Sequence, residues 1–163
     1  MVKMQILLTK VNPKSKSALV MLIDLQQKRV LPIITGVMEG LTIALGMEKE
    51  ITPRPLSHDL MKNILDELHV EVARVVVTEI KDDTFYAVIR LVVEGKELEV
   101  DSRPSDAIAL AARAKIPIYC TEKVLEAAVD LKPHKERNRL DDSDDLKKWL
   151  ENLKSDEFGE YKM

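Results

Sequence analysis

The beginning of the chain carries three apolar runs that are typical of β-strands. Aliphatic and β-branched residues dominate each run, and turn-forming residues separate the first run from the second. The runs cover residues 4–11, 18–24 and 28–35. Pro32 lies inside the third run, and because proline has no amide hydrogen to donate within a sheet, it indicates an edge position or a bulge.

Helical periodicity replaces the strand pattern after these runs. The stretch from Val37 to Leu45 predicts a helix, with Gly46 as the residue that caps its C-terminus. A second helix is predicted to open at Ser57. Apolar residues then recur at the spacing of one helical face, at Leu60, Ile64, Leu65 and Leu68.

The same order of elements recurs later in the chain. Residues 74–80 lie over residues 5–11 at an offset of 69, and the tripeptide Ile43-Ala44-Leu45 returns as Ile108-Ala109-Leu110. Short loops between the strands indicate antiparallel pairs. We therefore predict an α+β fold, a duplicated β-β-β-α-α unit with a mostly antiparallel sheet. Chance similarity between hydrophobic strands is the alternative explanation.

The predicted organisation is one domain with a tail. The domain covers residues 1–130, and the internal repeat divides it at about 2–69 and 70–130. Residues 131–143 are polar and charged, and are interpreted as a linker. Residues 144–163 are predicted to be an amphipathic C-terminal helix or tail.

Two further helices are predicted in the second half. The stretch from Pro104 to Lys115 is rich in alanine, and such small side chains let a sheet or helix approach closely, so we expect this helix to be central and buried. Thr121 is predicted to cap a short helix from Glu122 to Val129. Cys120, in the apolar segment before it, is expected to be buried rather than reactive.

Composition narrows the classes of function. The 163 residues have a net charge of −3, which argues against a protein that coats nucleic acid by bulk charge, so a phosphate site would have to be local. A single cysteine excludes a disulfide scaffold and a cysteine-based zinc site. The sequence shows neither a signal peptide nor a long uncharged apolar segment, so we expect a cytoplasmic protein without membrane contact.

Two Arg-Pro clusters carry the candidate chemistry. Each precedes a predicted helix and offers an arginine, a hydroxyl group and a carboxylate, and the first adds a histidine. A helix N-terminus attracts anions, and the arginine fork suits phosphate oxygens, so Arg54 and Arg103 are the candidate phosphate ligands, with Ser57 and Ser105 beside them.

The acidic residues and the histidine of these clusters suggest hydrolysis. Asp59 and Asp106, with Glu39 from a third helix start, could hold Mg²⁺ or Mn²⁺ next to a phosphate. His58 could activate water or protonate a leaving oxygen. The candidate catalytic residues are therefore His58, Asp59 and Asp106.

A purely structural interpretation stands beside this one. Ser57 and Ser105 have the chemistry of ordinary helix caps, and Asp59 and Asp106 suit a helix dipole. Each arginine could simply neutralise a neighbouring aspartate. Glu39 could likewise be an ordinary acid of a first helical turn.

The chain resembles the bifunctional nuclease domain family over roughly residues 3–130. The most specific stretches are residues 53–60, 83–87 and 103–111. One departure is Ser57, where threonine is common in the family; the hydroxyl is kept. The resemblance implies a nuclease that degrades both DNA and RNA, and it supports the functional interpretation of the two clusters without assigning roles within them.

The predicted function is metal-assisted hydrolysis of phosphodiester bonds in DNA and RNA with little sequence preference. The alternative is a non-catalytic regulatory module that binds an anion or a partner at its helix N-termini. Continuous apolar strands, an apolar patch on residues 85–93 and the tail also predict a homodimer.

Overall fold

The computed structural model describes residues 1–12, 16–48, 52–126 and 128–130. The predicted linker and the predicted C-terminal helix lie outside these residues. The strands are β1 (Val2–Asn12), β2 (Ser17–Asp24), β3 (Arg29–Gly36), β4 (Glu71–Lys81), β5 (Thr84–Val93), β6 (Lys96–Ser102), β7 (Ile118–Cys120) and β8 (Val129–Asp130). The helices are α1 (Val37–Glu48), α2 (Ser57–Glu67), α3 (Pro104–Ala114) and α4 (Glu122–Leu125).

The strands form one eight-stranded sheet in the order β6-β5-β4-β7-β1-β2-β3-β8. Short loops connect β1 to β2 to β3 and β4 to β5 to β6, so each trio is an antiparallel meander. The short strand β7 lies between the two trios, parallel to β4 and antiparallel to β1. The predicted class, α+β with a mostly antiparallel sheet, is confirmed.

The duplication of a β-β-β-α-α unit stays a prediction. Three strands and a helix do occur twice in order, but the second half inserts β7 and has the four-residue α4 where the first half has the eleven-residue α2. The predicted helix from Glu122 to Val129 is wrong in its length. It ends at Leu125, because Val129 begins β8 and pairs with Val30 of β3. Its cap is confirmed, since the Thr121 hydroxyl accepts a hydrogen bond from the Val124 amide at 3.3 Å.

Helix α3 lies at the centre of the core, as predicted. Its buried residues include three alanines, and α1 and α2 both pack against it while its lower face covers β4 and β5. Small side chains leave little bulk between backbone and neighbour, so elements can surround the helix closely. Cys120 is fully buried next to this core, and burial raises the pKa of its thiol to about 12.

The end of α1 differs from the prediction. Gly46 is not a C-cap, because the helix continues to Glu48 and Gly46 lies buried inside it. A Cβ atom at this position would lie 2.9 Å from Nη1 of Arg113 and 3.0 Å from Cβ of Ala112. The glycine is therefore required by the close approach of α3 and not by a left-handed backbone turn.

The edge position predicted from Pro32 holds only locally. The two-residue strand β8 is the edge of the sheet and pairs with Arg29 and Val30 of β3, so Pro32, which pairs with Met21 of β2, lies beyond the reach of β8 on its other side. Among the residues that the structure describes, no helix combines the length and the apolar composition needed to cross a membrane.

Candidate functional site

Side chains from the first turns of α1, α2 and α3 meet in one hydrogen-bonded chain. Arg103, the residue before α3, donates through Nε to Oδ2 of Asp106 at 2.7 Å and through Nη2 to Oδ1 at 3.0 Å. Its Nη1 donates to Oε1 of Glu39 on α1 at 3.3 Å. His58 on α2 completes the chain, with Nε2 3.2 Å from Oδ1 of Asp106. We call these four residues the His58–Glu39 chain.

The His58–Glu39 chain is buried at His58 and most exposed at Arg103. The side chain of His58 is 13% exposed, that of Asp106 27%, that of Arg103 58% and that of Glu39 28%. Solvent and a ligand can therefore reach the guanidinium group directly. The imidazole ring lies behind it, held by the carboxylate.

The carboxyl group of Asp106 is ionised over a wide pH range. Burial alone raises its pKa, but hydrogen bonds and the charge of Arg103, with a further hydrogen bond from His58, outweigh burial and lower the pKa below 3.8. The same carboxylate raises the pKa of Arg103. An ionised Asp106 accepts hydrogen bonds only, so Nε2 of His58 carries the hydrogen between them.

Two buried polar atoms near this chain have no hydrogen-bond partner among the described residues. They are Nδ1 of His58 and Oγ of Ser105. When Nε2 of a neutral imidazole carries the hydrogen, Nδ1 carries the lone pair, so it is the free proton acceptor of His58. An unpaired buried acceptor or hydroxyl costs stability, and such atoms deserve a functional explanation.

Asp59 belongs to a different cluster. Its Oδ1 accepts a hydrogen bond from Nε of Arg113 at 2.6 Å, and its Oδ2 accepts one from the Leu56 amide at 2.9 Å. Nη1 of Arg113 also donates to the carbonyl oxygens of Thr42 at 2.8 Å and Ala109 at 3.4 Å. The Arg113 side chain is only 6% exposed, and its Nε and Nη1 groups bind α2, α1 and α3, so this pair holds three helices together.

Arg113 is absent from the residues predicted for the site, although the sequence contains a signal for it. Arg113 follows Asp106 by seven residues, which places both side chains on one face of α3. It is also the only basic residue within that alanine-rich helix. A lone arginine on a buried helix needs acceptors, and the nearest candidates were the acids and carbonyl groups of α1 and α2.

The remaining predicted residues are dispersed around the His58–Glu39 chain. Arg54 is exposed in the loop before α2, and among the described residues its side chain has no hydrogen-bond or ion-pair partner. Ser57 is exposed, whereas Ser105 is buried. Neither serine is a helix cap, because the caps are Leu56 and Arg103 and both serines fall inside the first turn.

The predicted metal ligands do not fit an ion in this arrangement. Glu39 and Asp106 both face the guanidinium group of Arg103, so a cation already lies between the two carboxylates. Asp59 is held by Arg113. Across the ranges that the structure describes, no three His, Cys, Asp or Glu side chains are placed together to hold a metal ion.

An open cleft of about 590 Å³ lies elsewhere, between β1, β7 and the C-terminal ends of α1 and α3. Its lining includes Met4, Ile6, Ala111 and Ile118 and none of the four residues of the His58–Glu39 chain. The candidate chemistry therefore sits on a surface of helix N-termini rather than in this cleft.

Comparison with known proteins identifies the family. The chain belongs to the bifunctional nuclease domain family, whose model matches residues 20–131. The matched range includes every member of the His58–Glu39 chain and both residues of the Arg113–Asp59 pair.

The relatives differ in how much they share with the chain. An uncharacterized protein of Mycobacterium tuberculosis is 33% identical over 136 residues, which are 80% of this chain and 81% of that protein. Bifunctional nuclease 1 of Arabidopsis thaliana is 35% identical over 92 residues, 55% of this chain and 28% of the plant protein. Bifunctional nuclease 1 of Oryza sativa subsp. indica is 30% identical over 98 residues, 58% of this chain and 30% of the plant protein. The chain thus spans less than a third of these plant nucleases.

Proposed function

We propose that this protein is a nuclease that hydrolyses phosphodiester bonds of DNA and RNA with little sequence preference. The observation that carries the proposal is the convergence of His58, Asp106 and Arg103 on one surface. Family membership supports the same conclusion, since related plant proteins are named bifunctional nucleases.

Arg103 is the proposed phosphate ligand. Its guanidinium group is the most exposed member of the chain, and a phosphate oxygen can replace either carboxylate as its acceptor. Arg54, exposed and unpaired among the described residues, is a second phosphate ligand on the neighbouring loop. A local site of this kind contacts few phosphates, so we expect cleavage to depend only weakly on salt.

His58 is the proposed general base. Asp106 holds its Nε2–H, which leaves the lone pair on Nδ1 to take a proton from the attacking water. The water oxygen then bonds to phosphorus, the bond from phosphorus to the leaving oxygen breaks, and that oxygen takes a proton from solvent. Because Nδ1 is buried, substrate binding must open a path for water to this atom before the step, while the bond from Nε2 to Asp106 is kept.

Divalent-metal assistance by Asp59, Asp106 and Glu39 stays a prediction. The step above is written without a metal, since these three donors are engaged with Arg103 and Arg113. If Mg²⁺ or Mn²⁺ takes part, it must arrive with the substrate phosphate and displace Arg103 from the carboxylates. A chelator in the assay below separates the two cases.

The test is single-turnover cleavage of single- and double-stranded DNA and RNA, with and without chelator. We compare the wild type with His58→Asn and with the matched control His69→Asn, which changes an exposed histidine in the turn after α2. Loss of a general base lowers a rate by roughly 100-fold or more. We therefore expect cleavage to fall by that factor in His58→Asn and to remain unchanged in the control.

Asp106→Asn is the second variant, since it keeps the size of the side chain and removes the charge that orients His58. It should lose cleavage as His58→Asn does, with an unchanged circular dichroism spectrum. Equal cleavage by the wild type and both variants would mean that a contaminant or another site is responsible.

A non-catalytic regulatory module is the second candidate function. The observation that favours it is that the exposed guanidinium group of Arg103 already binds two carboxylates, either of which another anion can replace, while no group of metal-ligating side chains is assembled in the described part of the chain. A thermal shift with inorganic phosphate or a nucleotide, combined with no cleavage under any metal condition, would establish this function instead.

A further inference from the structure

Strands β1, β2 and β3 carry a second apolar cluster on the face of the sheet that points away from the main core. Met21, Ile23 and Val30 are between 0% and 2% exposed. Ile23 lies opposite Val30 in the β2–β3 pair and two residues from Met21, so the three side chains point to one face, whereas Leu22 points to the other face and belongs to the main core. Partly buried leucines pack around the three, namely Leu7, Leu8 and Leu19. We call these six residues the outer cluster.

No described helix accounts for the burial of the outer cluster. Residues of all four helices pack in the main core on the other face, among them Ile43 of α1, Leu65 of α2, Ile108 of α3 and Val124 of α4. Within the described ranges, the outer cluster consists of strand residues only. An antiparallel sheet with helices on one face leaves its other face to water, so side chains there are 0% to 2% exposed only when a further layer packs over them. That layer must come from residues outside the described ranges.

The other half of the same sheet face is charged. Arg74 of β4 lies opposite Arg90 of β5, and Arg90 lies opposite Glu99 of β6. These side chains point away from the main core, because Ile89, the neighbour of Arg90, points into it. Ion pairs join Arg74 to Glu97 and Arg90 to both glutamates. An apolar layer over these charges would take them out of water at a cost in free energy, so the layer belongs over β1, β2 and β3.

The chain leaves the sheet beside the outer cluster. Strand β8 is an edge strand, its Val129 pairs with Val30 of the outer cluster, and Asp130 is the last residue that the structure describes. Residues 131–163 follow, and the predicted linker at their start can span about 40 Å when extended, against about 10 Å across three neighbouring strands. The remaining ranges outside the structure are too short to form a layer, and they are residues 13–15, 49–51 and 127.

The sequence of residues 144–163 supplies a matching apolar surface. Its apolar residues recur at the spacing of one helical face, and they are Leu146, Trp149, Leu150 and Leu153. A short helix with one apolar stripe is not stable alone in water and needs a surface to pack on. The outer cluster is such a surface, because it is apolar and lies within reach of the linker.

We propose that residues 144–163 pack by this stripe over the outer cluster of the same chain and form a third layer on the sheet. Attachment at β8 keeps the segment near the cluster at an effective concentration that is roughly millimolar for a flexible linker. A second copy would instead lose translational and rotational freedom on binding. The predicted homodimer stays a prediction, and this layer removes the outer cluster from the surfaces that a dimer could use.

Trp149 provides the test, because it is the only tryptophan of the chain and its fluorescence reports on this segment alone. An indole ring packed on an apolar surface is shielded from water. We therefore expect the emission maximum of the folded wild type to lie at a shorter wavelength than that of the protein in urea. Acrylamide should quench the folded protein less than the unfolded protein.

Leu19→Glu and Leu150→Glu test the two sides of the contact. Leu19 is partly buried at the border of the outer cluster, and a glutamate there or on the stripe places a charge in an apolar contact. In each variant, the emission and quenching of Trp149 should move to the values of the unfolded protein, while circular dichroism still shows a cooperative urea transition. The matched control is Leu98→Glu, at a leucine that is 50% exposed on the opposite face of the sheet, and it should leave Trp149 unchanged. If Leu19→Glu does not fold, Leu150→Glu decides, since it changes no residue of the sheet.

Three results would overturn the proposal. The first is a Trp149 that acrylamide quenches as strongly in the folded wild type as in urea. The second is a Trp149 that stays protected in a folded Leu19→Glu, because the segment would then pack on another surface, such as the exposed apolar side chains of α2 and its C-terminal cap, which are Leu60, Met61, Ile64 and Leu68. The third is protection that disappears on dilution while light scattering of the concentrated protein gives twice the chain mass of 18.5 kDa, since the segment would then pack on a second copy.

Discussion

Two arginine–aspartate pairs join the same three helices, but they are built in opposite ways. In the Arg113–Asp59 pair the guanidinium group is covered, with the Arg113 side chain 6% exposed, and Arg113 also donates to two backbone carbonyl oxygens. In the Arg103–Asp106 pair the guanidinium group lies at the surface, and within the described ranges Arg103 donates only to the carboxylates of Asp106 and Glu39. In the first arrangement the donors of the arginine bind groups within the fold. In the second the guanidinium group is exposed, so a ligand can replace the carboxylates that it binds.

The difference separates a positioning cluster from a reactive one. Asp59 lies next to His58 in the chain, so the Arg113–Asp59 pair fixes the first turn of α2 that presents the imidazole ring to Asp106. We therefore expect the covered pair to act on stability and the exposed pair to act on chemistry. The predictions below test this division in order of decreasing effect.

The largest expected effect comes from Arg113→Ala. The change leaves a carbonyl of α1 and the Asp59 carboxylate without their donor, so we expect the free energy of unfolding to fall by about 3 kcal/mol. Arg103→Ala, at an exposed pair, should cost less than about 1 kcal/mol while cleavage is lost. Urea denaturation of both variants checks this, and equal losses would contradict the division.

A smaller effect on stability is expected from Gly46→Ala, which brings a methyl group against Arg113 without changing any charge. The added Cβ atom would meet Nη1 of Arg113 and Cβ of Ala112 at about van der Waals overlap. Overpacking costs about 1–3 kcal/mol, and the better helix propensity of alanine returns up to about 1 kcal/mol. We expect a net loss of about 1 kcal/mol in thermal or urea unfolding. A gain in stability would mean that α1 and α3 separate freely.

The smallest effect is the acid dependence that Asp106 contributes. Because its pKa in the folded protein lies below 3.8, the stability from its ionised form is fully present above that value and is lost as the pH falls through the lower folded value. Asp106→Asn should therefore be less stable than the wild type at neutral pH by about 1 kcal/mol. The gap should close below pH 3.8, as measured by urea unfolding at several pH values. A gap that persists in acid would show that charge is not its cause.

The apolar runs and turn residues of the sequence predicted β1 to β6, since each of these strands depends on a local pattern, but not the short strands β7 and β8, which form through pairing with distant segments. A local pattern was also enough for α3, whose alanines predicted its central position. Gly46 was misassigned because a glycine near a helix end has two explanations, a left-handed cap or a close neighbour, and only the position of α3 distinguishes them. The helix after Thr121 was predicted too long, since the pairing of Val129 with Val30 joins residues far apart in the chain.

The sequence predicted the residues of the candidate site but not which of them contact one another. Arg103, Asp106, His58 and Glu39 were named from their places at helix N-termini, and the structure brings them together. Asp59 carried the same residue type in the same position, yet it binds Arg113 instead. Nothing in the neighbouring sequence distinguishes the two aspartates. The difference comes from Arg113, which lies on α3 and donates to Asp59 on α2.

The sequence by itself determined six of the strands, the three longer helices and the set of polar groups at the helix starts, because these follow from short-range spacing, and its motifs carried the resemblance to the family. Only the tertiary structure decided which aspartate binds the buried Arg113 and which binds the exposed Arg103, and which face of α2 is left uncovered. Contacts between helices depend on how the sheet orders its strands, and that order is set by pairings between distant segments.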